Sequence, residues 1–454
     1  MKPITLFAAT SLLLPSVHAD NSPPGANQFW PQWRGPLATG VAPLADPPIN
    51  WSETEHIKWK VKLPGSGDST PIVWGDRIFL LTAIPTGRKI KAPDSPTGST
   101  EAGAPATGAR GERGRMNTET PDEVYQFSIL CLDRNSGKIL WQKTAREEAP
   151  HEGHQQNNTF ASASAVTDGQ LVLAFFGSRG LHCYDLEGNL KWSKDFGRMR
   201  TKMGFGEGAS PALRGDTVVV AWDHEGDDFI VALDRRTGKE LWRTPRSEGT
   251  GWSTPLVIDF DGKQQVVINA TGKVRSYDLA SGKEIWSCGG QTVNAIPTPV
   301  ATADTVYVMS GFRGHALFAI ALGRTGDLKG HDAIRWQHDK NTPYVPSPLL
   351  VDGLLYFVAN NDAKLSCLDA RTGNAHFEAE PLDGLFSIYA SPVSAGDRVY
   401  VLGREGTCIV LKKGPKLEIL ATNKLDDKTD ASPALAGNEI FVRGHANLYC
   451  ISSK

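Results

Sequence analysis

Short apolar runs alternate with polar turns along most of the chain. In residues 231–242, VALDRRTGKELW, an apolar run ends at Asp234, a polar turn contains Gly238, and a second strand-like run leads to Trp242. Because glycine tolerates the positive φ that a tight reversal requires, this pattern predicts a β-hairpin that ends in a tryptophan. Versions of the hairpin recur at residues 131–141, 183–192, 276–286 and 367–377, the last with Phe377 in place of tryptophan.

A second motif sets the length of the repeat. It consists of a small residue, then Ser or Thr, then usually Pro, and it opens an apolar run. It begins at residues 69, 163, 209, 253, 297, 346, 390 and 431. From Pro211 onward its third position recurs at intervals of 41 to 49 residues. Self-similarity at this period is typical of repeat proteins.

Each repeat contains four strand-like runs, labelled A to D from the Ser/Thr–Pro run to the tryptophan run. Short strands rich in Val, Ile, Tyr and Trp, joined by Gly and Asp turns, indicate four-stranded antiparallel sheets, and their radial repetition predicts a β-propeller. The eighth repeat lacks strand D, whereas residues 56–63, HIKWKVKL, alternate polar and apolar positions with no motif before them. The sequence therefore predicts an all-β, eight-bladed propeller, closed by an N-terminal strand that completes the last blade.

Two segments interrupt this regularity. Residues 20–55 include the Pro-rich and aromatic FWPQWRGP, which we interpret as a strap packed across the outside of a propeller formed by residues 56–454. Residues 83–122 lie between strands B and C of the first repeat and are rich in Gly, Pro, Ala, Ser and Thr. That composition predicts a mobile surface loop.

The first residues predict export. Residues 1–19 combine Lys2, a short apolar segment and a small-residue cleavage site, which is typical of a secretory signal peptide. No cysteine follows that site, so we expect no lipid anchor, and no later segment is apolar enough to cross a membrane. We therefore expect a periplasmic or secreted protein, and a monomer.

The distribution of charge and the positions of the cysteines limit which partners and which disulfides we expect. The chain carries 48 basic and 50 acidic residues without a basic stripe, so a nucleic-acid partner is not expected. Four of the six cysteines, Cys131, Cys183, Cys367 and Cys450, occupy equivalent positions in different repeats. Such positions lie farther apart than a disulfide permits, so we expect buried free thiols.

The repeats resemble those of the pyrroloquinoline-quinone-like β-propellers, whose consensus is A-L-D-x-x-T-G-K-x-x-W. The matching residues are Ala232, Leu233, Asp234, Thr237, Gly238, Lys239 and Trp242. The resemblance covers nearly the whole mature chain and implies the propeller fold. Its functional implications are broad, from quinoprotein dehydrogenases and kinase sensor domains to the outer-membrane assembly lipoprotein and exported propellers without known activity. FWPQWRGP is most similar to the last group.

In this fold the repeat tryptophans are expected to pack between neighbouring blades rather than to stack on a ligand. They are Trp59, Trp141, Trp192, Trp242, Trp286 and Trp336.

The residues that are candidates for binding or catalysis lie in the loops, where the repeats differ. The A–B and C–D turns share one side of the propeller, here called the turn face, and consist of generic TGK, SGK and DG sequences. The D–A crossings and B–C turns share the other side, the crossing face, and carry irregular polar residues that suit binding. The candidate site residues on the crossing face are His154, Asn158, Arg179, Asp223, His224, Glu225, Trp252, Arg313, His315, Arg404 and Arg443.

Three clusters on the crossing face have both a chemical and a structural interpretation. The acidic turn DHEGDD at residues 223–228 offers oxygens to a divalent cation but lacks the spacing of an EF-hand loop, which favours a solvated turn. The histidines near residues 151, 154 and 224 could bind a metal or donate to backbone carbonyls, and we favour the second. The arginines could hold a carboxylate or a sugar acid, or pair with neighbouring glutamates.

The residues assemble no recognisable nucleophile, base and acid set, so catalysis is not favoured. We expect a binding or scaffold protein without a cofactor, acting through the crossing face on an envelope or extracellular protein or a carbohydrate. The alternative is an oxidoreductase that acts on alcohols or sugars with pyrroloquinoline quinone and calcium. The adjacent cysteines and the Trp-Gly-rich floor motif typical of those enzymes are not found here. A glycan-directed lyase or hydrolase, supported by His154, His224 and the arginines, is a third interpretation.

Overall fold

The computed structural model describes residues 25–90, 118, 120–330 and 332–453. These residues form eight antiparallel sheets in which strands A to D are neighbours in that order. Within the described ranges there is no α-helix, only three short 3₁₀ turns at Ala26–Gln28, Gly177–Arg179 and Lys202–Gly204. The predicted all-β, eight-bladed propeller is confirmed.

The strands follow the predicted order in every blade. Blade 1 contains Ile72–Trp74, Arg77–Lys89, Glu123–Asp133 and Ile139–Glu148, and blade 2 contains Val166–Thr167, Leu171–Phe175, Leu181–Asp185 and Leu190–Lys194. Blade 3 contains Ala212–Arg214, Thr217–Trp222, Phe229–Asp234 and Glu240–Pro245, and blade 4 contains Leu256–Phe260, Lys263–Ala270, Lys273–Asp278 and Glu284–Gly289, with Gly326–Asp327 added parallel to its outer edge. Blade 5 contains Val300–Ala301, Thr305–Ser310, Ala316–Ala321 and Ile334–His338, and blade 6 contains Leu349–Val351, Leu354–Val358, Lys364–Asp369 and Ala375–Pro381. Blade 7 contains Val393–Ala395, Arg398–Leu402, Thr407–Lys412 and Ile419–Lys424, and blade 8 contains Ala434–Ala436, Glu439–Arg443 and Asn447–Ser452.

The outer strand of blade 8 comes from the N-terminal part of the chain. Ile57–Lys62 pairs antiparallel with Asn447–Ser452, with Trp59 opposite Cys450. The strand alternates half-buried and exposed residues, as expected for an outer strand with one face packed against the neighbouring blade. The predicted closure of the ring by residues 56–63 is confirmed.

Five of the six repeat tryptophans donate a hydrogen bond to the next blade, as expected for packing between blades, and the sixth, Trp286, is buried in a cluster that blades 4 and 5 share. The indole Nε1 of Trp192 donates to the carbonyl oxygen of Arg235, in the next blade, at 2.9 Å. The equivalent bonds of Trp59, Trp141, Trp242 and Trp336 measure 2.7 to 3.0 Å. Gly238 lies against the ring of Trp192 at a φ of 69°, and a Cβ there would stand 2.6 Å from the ring. The glycine of the TGK turn therefore meets both a backbone and a packing requirement.

The Ser or Thr of the second motif forms a ring of hydrogen bonds around the channel. In seven of eight blade junctions the backbone N–H of one motif residue donates to the hydroxyl of the next, at 2.9 to 3.2 Å. The residues are Thr70, Ser164, Ser210, Thr254, Thr298, Ser347, Ser391 and Ser432. The Thr70 hydroxyl is buried and has no partner among the described residues. This ring of hydrogen bonds therefore lacks one bond, at the junction of blades 8 and 1.

The strap enters the core, and the interpretation that it lies across the outside was wrong. Trp30 is fully buried and exchanges backbone hydrogen bonds with Val73, in strand A of blade 1. The buried Arg34 donates through Nη2 to the carbonyl oxygens of Pro348 and Pro392, both at 2.9 Å. Val41–Ala42 pairs parallel to strand A of blade 7. Burial of an indole and a guanidinium that bonds to inner-strand carbonyls holds the strap against the inner strands.

The segment between strands B and C of blade 1 begins later than predicted. Strand B continues to Lys89 and pairs with strand C at Glu123, so residues 83–89 extend the hairpin. Residues 91–117 and 119 of the predicted loop, and the predicted signal peptide at residues 1–19, lie outside the described residues. The described part of the chain has no helix long and apolar enough to cross a membrane. All six cysteines are free and buried, as expected.

Candidate functional site

A cavity of about 300 Å³ lies on the crossing face, at the mouth of the central channel. Every blade contributes to this cavity the residue two positions before the Ser or Thr of its second motif. In blade order these residues are Asp68, Ser162, Gly208, Trp252, Ile296, Val345, Tyr389 and Asp430. Because the positions are equivalent, the cavity has an apolar side in blades 4 to 6 and a polar side in blades 7, 8, 1 and 2.

Aromatic side chains form much of the cavity wall. Phe312 and Tyr344 stack with ring centroids 4.8 Å apart and planes inclined by 25°. Trp252 donates from Nε1 to the carbonyl oxygen of Gly206 at 2.8 Å, which fixes its indole. Phe205 and the strap residue Trp33 also line the cavity. The wall therefore offers a ligand several aromatic rings whose positions are fixed by stacking or hydrogen bonding.

On the polar side, Asp430 is held in an ion-pair network. Arg404 donates to its two oxygens at 2.5 and 3.2 Å, and His445 Nε2 lies 2.9 Å from Oδ2. Burial alone would raise the pKa of Asp430, but the hydrogen bonds from His445 and Arg404 outweigh burial and lower it. The same bond to Asp430 raises the pKa of His445. Asp430 is therefore an ionised and already paired carboxylate.

Asp68 differs from Asp430 in lacking such partners. Among the described residues its carboxylate accepts one hydrogen bond, from the Ser162 hydroxyl at 3.5 Å, and no cation lies within ion-pair distance. Burial, and then the charge of Asp430, raise the pKa of Asp68 to about 6, although Arg443 and His445 oppose the shift. Ligating atoms of Asp68, Asp430 and His445 lie within 4.8 Å of one another, which brings two carboxylates and an imidazole together at one end of the cavity.

We expect Asp68→Asn to stabilise the protein at neutral pH but not in acid. Because the pKa of Asp68 is raised to about 6 from its ordinary value of 3.8, the folded state binds more protons than the unfolded state between these values. The stability that protonated Asp68 contributes is complete below pH 4 and lost as pH rises through about 6. The loss amounts to up to about 3 kcal/mol. Thermal unfolding at pH 4 and pH 7.5 measures it, and an equal effect of the substitution at both values would contradict it.

The candidate residues named from the sequence fall into three groups. Asn158 and Trp252 line the cavity, and Arg404 and Arg443 stand behind its carboxylates. Arg179 and Asp223 line a separate cavity of about 40 Å³. His154, His224, Glu225, Arg313 and His315 line neither cavity within the described residues.

The histidines and arginines outside the main cavity have local partners. His154 Nδ1 bonds to the carbonyl oxygen of Gln155 at 2.9 Å, and His315 Nδ1 bonds to the Thr342 hydroxyl at 3.1 Å. Arg179 is buried, with Nε 3.3 Å from Glu148 and Nη1 3.7 Å from Glu207. These contacts favour the structural interpretation of both groups.

The acidic turn at residues 223–228 is bound to the next D–A crossing. Asp223 forms a buried two-pronged ion pair with Arg246, at 2.7 and 3.0 Å. Asp228 accepts bonds from three backbone N–H groups, including that of His224. Glu225 accepts from the N–H and hydroxyl of Thr250. Most oxygens of the turn are therefore already engaged, which favours a structural role over a calcium site.

Several cavity residues were missed in the sequence, although a signal for some of them was present. Asp68, Tyr389 and Asp430 stand directly before the repeat motif, two residues ahead of its Ser or Thr, and this position could have been compared across all eight repeats. Phe312 and Tyr344 come from a B–C turn and a crossing without such a register. Their approach to the cavity depends on the three-dimensional path of those loops.

Comparison with known proteins agrees with the fold. A family model described as outer membrane protein assembly factor BamB matches residues 126–378, more than half of the chain. BamB of Burkholderia pseudomallei (strain K96243) is 22% identical over 352 residues, which cover 74% of this chain and 82% of that relative.

Solved structures of similar fold include a BamB and a methanol dehydrogenase. BamB from Moraxella catarrhalis has a TM-score of 0.55 at 14% identity, covering 87% of this chain and 98% of that chain. A europium-containing methanol dehydrogenase has a TM-score of 0.59 at 11% identity, covering 94% and 98%. At such identities the likeness shows the propeller alone. Together with the matched family model, the eight blades and their repeat motif show that the chain belongs to the PQQ-like repeat family of the outer membrane protein assembly factor BamB.

Proposed function

We propose that this protein is an exported binding or scaffold protein that recognises its partner through the crossing face. The observation that carries the proposal is the 300 Å³ cavity, to which each of the eight blades contributes an equivalent residue. Membership of the BamB family supports a binding role. Proteins usually bind ligands in concave sites that are lined by aromatic side chains and a few polar groups.

Exposed apolar side chains on the crossing face support the same conclusion. Phe386 is 79% exposed and Met203 is 68% exposed, and both lie in D–A crossings. Large exposed apolar side chains are typical of interaction surfaces. An envelope or extracellular protein or a carbohydrate is the class of partner that we propose, for a monomer acting in the periplasm or outside the cell.

We propose further that this function does not use pyrroloquinoline quinone. That quinone carries three carboxylates, whereas the described lining of the cavity contains two aspartates and no basic side chain. Such a lining offers a tricarboxylate no basic side chain to bind, and the unpaired carboxylate of Asp68 repels it. The acidic turn considered for calcium is already bound to residues 246–250. The residues therefore do not fit the cofactor.

Site-specific photocrosslinking in the cells that produce the protein tests whether the partner binds to the crossing face. A photoreactive residue in place of Phe386 or Met203 should give adducts with the partner, because both positions are exposed on the crossing face. Lys239, exposed in a TGK turn on the turn face, is the matched control and should give none. Adducts from Lys239 with none from the other two positions would contradict the proposal.

A further inference from the structure

The cavity on the crossing face has one carboxylate free to meet a ligand. Asp430 is neutralised by Arg404 and His445, which approach it from behind the lining. Asp68 lines the cavity, and no cation lies within ion-pair distance of it among the described residues. The described lining contains no Lys, Arg or His that could take this role. Arg443 and His445 act on Asp68 only at longer range, so a positively charged ligand group in the cavity would give this half-buried carboxylate the hydrogen-bonded ion pair that it lacks.

The aromatic wall favours the same charge. Aromatic faces attract cations, and the cavity already shows this, since the Arg404 guanidinium lies 4.1 Å from the ring centroid of Tyr389. Trp252 and Tyr344 face the cavity without such a cation among the described contacts. Both aromatic faces are available to pack against the apolar body of a cationic ligand.

The junction beside Asp68 also has an unmade hydrogen bond. Thr70, two residues after Asp68, is 1% exposed, and its hydroxyl has no partner among the described residues. The equivalent hydroxyls in the other seven blades accept a backbone N–H. Buried polar groups are normally paired, so this opening in the ring marks the junction as a place for an additional polar partner.

We propose that the cavity binds a small organic ammonium ion, with its nitrogen beside Asp68 and its apolar body against Trp252 and Tyr344. The inference rests on the proposed binding through the crossing face, and for the cavity itself it favours a cationic ligand over the carbohydrate included in the proposed partner class. A saccharide requires hydrogen-bonding groups around its whole ring, whereas the side formed by Trp252, Ile296 and Val345 has no polar side-chain group free for this purpose. An anion is disfavoured by the unpaired carboxylate of Asp68.

Two pairs of probes with matched shape separate charge from size. Choline and 3,3-dimethylbutan-1-ol differ in charge but not in outline, and benzylamine and benzyl alcohol form a second pair. Isothermal titration of the full protein at pH 7.5 should show each cation binding at least about tenfold more tightly than its neutral partner. The preference should fall as pH is lowered through about 6, because Asp68 becomes protonated while Asp430 stays ionised.

Substitutions locate the binding. Asp68→Asn should reduce the preference for the cation to within about twofold, and Trp252→Ala should weaken both members of each pair. Asp227→Asn removes the same charge from an exposed position on the crossing face and should leave the preference unchanged. Melting temperatures of the variants show that each is folded.

The outcomes distinguish this inference from the function on which it rests. Equal binding of charged and neutral partners, binding of glucose or cellobiose without binding of the cations, or no binding of any cation would overturn the ammonium ligand. If crosslinks from Phe386 persist in any of these cases, the crossing face remains the binding face and only the ligand class is wrong. Cation binding that survives both Asp68→Asn and Trp252→Ala would overturn the site.

Discussion

A chain that begins at Pro64 should unfold at least about 10 °C below one that begins at His56. Both variants lack the strap, so they differ only in the strand that completes blade 8. Differential scanning calorimetry of the two measures the effect of that strand alone. Static light scattering should also show the shorter chain self-associating, because it exposes the edge of the strand Asn447–Ser452.

The size of this effect follows from what the strand contacts. Trp59 packs against Phe441 in its own blade at 6.2 Å between ring centroids, and its indole donates to Arg134 in blade 1. Lys58 pairs with Glu439 at 2.7 Å. Loss of a packed indole alone costs about 3–5 kcal/mol, and the backbone ladder is lost with it. The ring would then be open at the junction where Asp68 and Asp430 meet.

A synthetic peptide of residues 56–63 provides the control. Added to the shorter chain, it should restore part of the lost stability, whereas a peptide of the same composition in scrambled order should not, because register decides which face is buried. Equal melting temperatures for the chains that begin at His56 and Pro64 would show that the strand does not hold the ring closed.

The fold could be predicted because every local signal repeats. The hairpin of residues 231–242 combines a strand period of two, a glycine at positive φ and a tryptophan, and the structure uses each in the expected way. Closure was predictable because the eighth repeat lacks one strand while an unassigned strand-like run stands at residues 56–63. Both inferences use periodicity, which survives without knowledge of distant contacts.

The strap and the cavity depend on contacts that periodicity does not encode. Arg34 is buried because carbonyl oxygens more than three hundred residues away accept its bonds. Asp68 and Asp430 are neighbours because the ring closes, although they stand at opposite ends of the sequence. Unusual residues in the longer loops, such as Asp223, could therefore be recognised in the sequence, whereas of the cavity-lining positions before the repeat motif only Trp252 was predicted.

Asp223→Ala should lower the free energy of unfolding by about 3–5 kcal/mol. The side chains of Asp223 and Arg246 are 3% and 0% exposed, and Arg246 also donates to the Tyr277 hydroxyl at 2.6 Å. Removing the carboxylate leaves a buried guanidinium without its counter-charge, which costs more than the pair contributes. Urea denaturation of the two proteins at the same pH measures the difference.

The matched control lies in the same turn. Asp227 is exposed and outside the ion pair, so Asp227→Ala should change stability by less than about 0.5 kcal/mol. Replacing both partners, as Asp223→Leu with Arg246→Met, should cost less than the sum of the single substitutions, because neither charge is then left buried alone. A calcium-ligand role predicts the opposite behaviour: a small cost for Asp223→Ala without the ion, and a stabilisation by added calcium that the substitution abolishes. Equal, small effects of Asp223→Ala and Asp227→Ala would show that the buried pair does not hold the turn to the crossing.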